Sequence, residues 1–197
     1  MSTGSSTGIS LRVAQVSDAQ AIRDIYAPWV RDSAVSFETE VPTVETMTQR
    51  IAKLLPTHPW IVALDDAVIA GYAYASPHRE RAAYRWSVEV TAYVDARRHR
   101  RGVGGRLYQG VCRVLFAQRI VNAFGVITLP NAASVALHES CGFTHCATLA
   151  RAGYKAGAWH DVGWWQKCLG EPAPKPAEPV AFVALSAEVI ASSLAAA

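Results

Sequence analysis

The sequence predicts a mixed α+β domain, a largely antiparallel sheet covered by helices. Three observations carry that expectation. Apolar segments with strand alternation come mostly in hairpin-like pairs, and helical apolar stripes fall between only some of them. The chain has 197 residues, of which 51% are hydrophobic and 18% charged. That balance excludes an intrinsically disordered chain and is enough to bury a core without cross-links. A formal charge of +3 is too small to imply a nucleic-acid partner unless it clusters.

Residues 1–8 are Met, Ser, Thr and Gly, and read as a disordered lead ahead of a short strand in ISLRVAQ. MSTGSSTGIS lacks the basic and apolar regions of a secretory signal, so the chain is expected in a reducing cytoplasm. Its four cysteines, 112, 141, 146 and 168, then remain free, and without C-x2-C pairs no metal site is expected. Ser17 and Gln20 offer a capping box to a helix with Ile22, Ile25, Tyr26 and Trp29 on one face, which Pro28 should bend or end early. Thr43 can cap a second helix carrying Met47, Ile51, Leu54 and Leu55, ended by Pro56.

Trp60–Leu64 and Val68–Ser76 flank Asp65-Asp66, the pattern of a tight hairpin. A long strand is expected over Tyr84–Asp95, then a basic glycine loop and a helix with Leu107, Val111, Val114 and Leu115. A strand (Ala123–Leu129), a short helix (Asn131–Cys141) with Gly142 as its left-handed end, and strands at 144–151 and 158–168 follow. The expected domain spans 9–169. Residues 170–179, GEPAPKPAEP, form a proline-rich linker, and 180–197 an Ala-rich tail. Glu188 in mid-tail argues against a membrane span, and the tail reads as a marginal helix with Phe182, Leu185 and Val189 on one face.

The most informative segment is Val94-Asp-Ala-Arg97-Arg98-His99-Arg100-Arg101-Gly102-Val103-Gly104-Gly105-Arg106-Leu107-Tyr108. A strand end, five arginines, glycines and a helix start make an anion site suited to a diphosphate, because unpaired amides and the helix dipole converge there. The alternative is a solvated basic loop. In the preceding strand, period-2 alternation places Trp86, Val88, Val90, Ala92 and Val94 on one face and Arg85, Ser87, Glu89, Thr91 and Tyr93 on the other. A carboxylate at Glu89 belongs either to a wet strand face or to proton transfer. Asn131 is a natural N-cap, and His138 stands one turn beyond Ser134 on the same face, where a lone histidine serves structure as readily as chemistry.

In combination these pieces resemble the GCN5-related N-acetyltransferase (GNAT) superfamily. Val35-Ser-Phe37-Glu-Thr-Glu40, Gly71-Tyr-Ala-Tyr-Ala75, Ala83-Tyr84-Arg-Trp86, Leu129-Pro-Asn131, Leu137-His138-Glu139 and above all Ala152-Gly-Tyr154-Lys-Ala-Gly-Ala-Trp159-His160-Asp161-Val-Gly-Trp164-Trp-Gln166 resemble the phosphinothricin acetyltransferases. The resemblance implies the GNAT fold, a mostly antiparallel six- to seven-stranded sheet with splayed strands. It implies acetyl-CoA as co-substrate, no metal, a cytoplasmic homodimer, and N-acetylation of a small glutamate-like amino acid such as phosphinothricin or methionine sulfoximine, with herbicide resistance as a consequence. By the same resemblance acetyl-CoA would lie on Ala92, Tyr93, Val94, Arg100, Arg101, Gly102, Val103, Gly104, Gly105 and Asn131. Glu89 takes the place of the general base, His138 orients substrate or relays protons, and Tyr108 is a candidate donor to the leaving thiolate. Phe37, Ser76, Tyr84, Arg85 and Tyr154 are the candidate acceptor pocket, with Arg85 balancing the substrate's acid group.

His99 departs from the family loop, which has Gln or Arg there; Arg100 and Arg101 are the expected compensation. Two other readings compete: a peptide or protein N-terminal acetyltransferase on the same fold, and a nucleic-acid-binding module using the 97–106 loop, although that loop lacks interleaved aromatics.

Overall fold

The computed structural model describes residues 8–197, so the lead at 1–7 lies outside the described residues. Seven strands form one sheet: β1 (Ser10–Val13), β2 (Trp60–Asp65), β3 (Val68–Pro77), β4 (Ser87–Val94), β5 (Asn122–Leu129), β6 (Thr144–Lys155) and β7 (Ala158–Cys168), in the order β1-β2-β3-β4-β5-β7-β6. Helices α1 (Ala19–Arg31) and α2 (Val44–Leu54) cover one face; α3 (Val103–Ala117) and α5 (Ala187–Ala195) cover the other, and α4 (Ala132–Ser140) follows β5. The faces alternate residue by residue. Trp60, Val62 and Tyr72 pack with Ile22, Met47 and Ile51, whereas Ile61, Ala63, Val88 and Val90 pack with Leu107, Val111 and Leu115.

All strand pairs are antiparallel except β4 with β5, and that pair is short. Ser87, Val88 and Glu89 lie opposite Asn122, Ala123 and Phe124, and there the ladder ends. Beyond it β4 stays paired with β3 as far as Val94, and β5 with β7 as far as Leu129. Two strands that each keep one full partner therefore part like a fork, leaving the inner edge of each free of a neighbouring strand.

Several local expectations hold. The Thr43 hydroxyl caps α2 by accepting from the Thr46 N–H at 3.1 Å. The Asn131 carboxamide caps α4 by accepting from the Ser134 N–H at 3.1 Å, and Gly142 ends that helix at φ 83°. Others shift. The α1 helix begins at Ala19, one residue later than a Ser17 cap would have it, because Asp18 is drawn toward Arg12 at 2.6 and 2.8 Å and accepts the Gln15 N–H. Pro28 sits on the exposed side of α1, which runs on to Arg31. The β2–β3 turn is Asp66-Ala67, with φ of 49° and 65°, because Asp65 closes β2 with its carboxylate buried.

The expected strand from Tyr84 starts only at Ser87. Ala82–Tyr84 form a 3-10 turn, and Arg85 and Trp86 are held by the proline-rich segment, through Glu178 at 2.7 Å and the Ala177 carbonyl at 2.9 Å. That segment then runs under the domain. The buried Gln118 side chain donates to the carbonyls of Thr57 and Val180, at 2.8 and 2.7 Å. Phe182 and Leu194 enter the main core, while Val189 stays 38% exposed, so the docking face is Phe182, Leu185, Ile190 and Leu194. Truncating a buried phenylalanine costs at least about 3 kcal/mol. Phe182→Ala should accordingly lower the melting temperature by about 6–12 °C in a calorimetric scan; an unchanged transition would mean that the tail is no part of the core.

Candidate functional site

At the fork two neighbouring strands part for the rest of their length, and its walls are lined by side chains from four elements. A small apical hollow of about 50 Å³ lies between Ala92 and Thr91 of β4 and Val126 and Ile127 of β5, with Tyr108 and His138 closing it. Through Ala92, Tyr93, Asn131 and Ser134 it opens into a cleft of about 350 Å³ that extends over the 98–105 loop. Val94 and Gly102–Gly105 line that cleft.

The loop is shaped by internal pairing. The Asp95 carboxylate accepts from the Arg97 N–H at 3.0 Å and binds its guanidinium at 2.6 Å. Arg98 and Arg101 both pair with the buried Asp65, Arg101 at 2.6 Å, and Arg106 donates to the Ile9 carbonyl. Of the loop's five arginines only Arg100 has no side-chain partner among the described residues, and it lines the cleft. Arg101 therefore lies apart from the other nine residues expected to contact a cofactor. Arg100 and Gly102 adopt φ of 60° and 79°, which turns the chain so that the first amides of α3 face outward. No atom lies within 4 Å of where a Cβ on Gly105 would stand, while a Cβ on Gly104 would meet Leu137 at 2.9 Å. His99 lines the cleft and is held by protein partners. Its Nε2–H donates to the Val94 carbonyl at 3.2 Å and its ring stacks on Trp29 at 6.0 Å, forming a side wall.

At the apex, Tyr108 and His138 meet. The His138 Nδ1 is 2.7 Å from the Ser134 carbonyl, which can only accept, so Nδ1 carries the proton. Burial lowers the imidazole below the ordinary histidine value despite that bond, so the ring is neutral and Nε2 accepts from the Tyr108 hydroxyl at 2.8 Å. Burial also holds the Tyr108 phenol far above its ordinary value, so it is a hydrogen-bond donor at any physiological pH. Gly125 makes room: a side chain there would run into the His138 ring.

Glu89 stands at the last paired step of the fork, opposite Phe124, with Ser76 across from it on β3. It does not line the apical hollow. Its Oε1 is 3.1 Å from Nδ1 of His78 and 3.3 Å from Arg79, two residues that the sequence reading passed over. Tyr84 closes on the His78 ring at 5.6 Å. Arg85, the expected partner for the substrate's acid group, points instead to Glu178. Phe37 lies over Gly153, where any side chain would collide with its ring, and Tyr154 packs on Trp159 at the exposed β6–β7 tip. Glu89, Ser76 and Tyr84 thus gather at the fork's base; Arg85 and Tyr154 stand elsewhere.

Comparison with known proteins agrees with this architecture. Residues 11–164 match the family model of the acetyltransferase (GNAT) domain. The chain belongs to the GNAT acetyltransferases. It is 42% identical over 173 residues to a phosphinothricin N-acetyltransferase of Streptomyces viridochromogenes, covering 87% of this chain and 94% of that one. It is 30% identical to the L-methionine sulfoximine/L-methionine sulfone acetyltransferase of Salmonella typhimurium, over 84% of this chain and 97% of that one. A GNAT phosphinothricin acetyltransferase from Sinorhizobium meliloti, solved in complex with acetyl-CoA, superposes with a TM-score of 0.83 at 32% identity, over 86% of this chain and 94% of that one.

This GNAT chain is an N-acetyltransferase, and acetyl-CoA is its co-substrate. The cleft fits such a molecule on its own terms. An unpaired strand edge suits a pantetheine arm, and outward amides with one free guanidinium suit a diphosphate. A larger hollow of about 650 Å³ beside α1 suits phosphates less well, because Arg97 on its rim is paired with Asp95 and the other charged groups there, Asp24 and Asp32, are negative. The buried histidine gives a direct check. Its folded value lies below the unfolded one, so the unfolded chain takes up the proton first; this contribution to stability is present above about pH 6.5 and is lost as the pH falls below it. In a nitrogen-15 NMR titration His138 should remain the neutral Nδ1–H tautomer where exposed histidines are already protonated. Titration at the ordinary value, or an Nε2–H signal, would refute the arrangement.

Proposed function

We propose that the chain acetylates the amino group of a small glutamate-like amino acid of the phosphinothricin or methionine sulfoximine type, with Glu89 as general base. The observation that carries the reading is the pairing of Glu89 with Arg79 at the fork's base, 3.3 Å apart and half-open to solvent. An amino-acid acceptor needs a carboxylate group to take its ammonium proton and a cation to hold its acid group, and here the two are adjacent. The names borne by the relatives above support the same acceptor class.

In this mechanism Arg100 and the amides of Gly102–Gly105 hold the diphosphate, and the free edge of β4 at Ala92–Val94, with Asn131, holds the pantetheine arm. Acetyl-CoA supplies the acetyl group as a thioester. Glu89 removes the proton from the ammonium group, which is mostly protonated at neutral pH, directly or through a water. A backbone N–H near Tyr93 steadies the thioester oxygen as charge builds on it. The Tyr108 hydroxyl, too weak an acid to surrender its proton to a thiolate, turns its single O–H from Nε2 of His138 to the departing sulfur and stabilises it by a hydrogen bond. Phe37, Ser76 and Tyr84 border the acceptor. Arg101 serves the loop's shape through Asp65, and Arg79 replaces Arg85 as the cation. With four of its five arginines bonded internally, the 97–106 loop offers little to a nucleic acid.

The proposal extends to a cytoplasmic homodimer and, through phosphinothricin, to herbicide resistance. For the dimer the support is β6, a long edge strand exposed over Thr144–Ala152 with Arg151 its one fixed charge. For the cytoplasm it is only that no helix among the described residues is long and apolar enough to cross a membrane.

Thiol release with acetyl-CoA tests the reaction. Phosphinothricin and methionine sulfoximine should outperform peptides with a free amino terminus; the reverse order would overturn the acceptor assignment. Glu89→Gln should lower kcat by roughly 10²–10⁴-fold without changing the KM for acetyl-CoA. Arg79→Ala, losing a charged hydrogen bond, should raise the acceptor KM by about 10–150-fold.

A further inference from the structure

We propose that His78 is a positioning residue for Glu89, holding one oxygen of the carboxylate so that the other faces the acceptor's ammonium group. The inference rests on the reading of Glu89 as the base. Its observations are those of a side chain gripped on every side. His78 follows β3 directly, and the antiparallel register sets Pro77 opposite Val88 with the His78 N–H donating to the Ser87 carbonyl at 3.3 Å, so its side chain arrives beside Glu89. The ring stacks on Phe124 of β5 at 4.7 Å, meets the Trp164 ring of β7 edge-on at 5.5 Å, and is met by Tyr84 at 5.6 Å. Its side chain is 13% exposed. Three aromatic walls from three segments leave the ring little freedom of rotation.

Within that box Nδ1 is 3.1 Å from Oε1 of Glu89. An ionised carboxylate only accepts, so Nδ1 carries the hydrogen. Arg79 donates to the same Oε1 while lying over the Trp164 ring at 5.5 Å. Both donors thus converge on one oxygen. Oε2 has no protein partner among the described residues, which leaves it as the atom that meets the ammonium proton. Arg79 is half-exposed and, in the proposed function, is engaged by the substrate's acid group, so His78 is the tether that stays with the carboxylate throughout turnover.

Two substitutions separate positioning from packing. His78→Phe keeps an aromatic ring in the box and removes the donor; His78→Asn keeps an N–H near the position of Nδ1 and sacrifices the ring. If His78 positions Glu89, His78→Phe should lower kcat by roughly 10–100-fold with the KM for acetyl-CoA and the melting temperature little changed. His78→Asn should retain more kcat than His78→Phe although it melts lower. A packing role reverses that order, and the reversed order, or a fully active His78→Phe, overturns the proposal. Glu89→Gln is assayed alongside, and in that background His78→Phe should cost nothing further. Full activity of Glu89→Gln would remove the base itself and the proposal with it; an impaired Glu89→Gln beside an active His78→Phe would remove only the tether.

Discussion

The parting of β4 from β5 is the constraint on which the rest of the molecule depends. After Glu89 the two strands give up their shared parallel ladder while each keeps a complete antiparallel one, to β3 and to β7. An amide left without a partner costs about 1–3 kcal/mol when buried, so a closed fork would be expensive. The fold avoids that cost by opening the gap to a cleft, where the same groups are available to a bound chain. The gap is held apart by what stands in it. Tyr108 from α3 and His138 from α4 occupy its apex, and Gly125 lacks the side chain that would evict the imidazole.

The basic loop obeys a second constraint, that a buried carboxylate must be paired. Asp65 is 1% exposed and recruits Arg98 and Arg101 from 33 and 36 residues away. Those two charges shape the loop through Asp65, and of the pair only Arg98 also lines the cleft. Asp95 takes Arg97 in the same way. What remains for an anion is mostly backbone, the outward amides between Gly102 and Gly105, together with Arg100. A site built from amides is set by conformation, and conformation is what the internal ion pairs and the positive φ values of Arg100 and Gly102 enforce.

That division explains what could be read from the residues alone. Caps at Thr43 and Asn131, the left-handed Gly142 and the apolar period of α3 were legible because each is decided within about one turn of chain. The phase of β4 was legible too, so Glu89 was assigned to the face opposite Val88 and Val90. The start of β4 was not. Arg85 and Trp86 leave the strand because Ala177 and Glu178, some 90 residues later, hold them, and with them went the parity argument that put Arg85 beside Glu89. His78 and Arg79 reach Glu89 through the β3–β4 register, which a connection nine residues long leaves undetermined in the sequence. Tyr108 was singled out by the family resemblance, but its partner was not legible, because only the approach of α4 supplies the histidine that it meets. The docking face of the tail was legible in part: Phe182 and Leu185 belong to it as expected, whereas Val189 gives way to Ile190 and Leu194, since α5 takes its phase from α3 and β1.

The fork also resolves a difficulty of placement. In an unbroken sheet, neighbouring residues of one strand project to opposite faces and cannot serve one reacting centre. Tyr108 and His138 belong to the α3 side, dry and uncharged at neutral pH; Glu89, with His78 and Arg79, belongs to the α1 side, charged and partly wet. Amide formation asks for both environments, since a proton must leave an ammonium group where charge is tolerated and a thiolate must be met by a donor where water is scarce. By omitting the β4–β5 ladder past Glu89, the fold cuts a slot through the sheet, and groups from its two faces border that slot. The same slot leaves the main chain of Ala92, Tyr93 and Val94 without a strand partner on the β5 side, whatever their side chains.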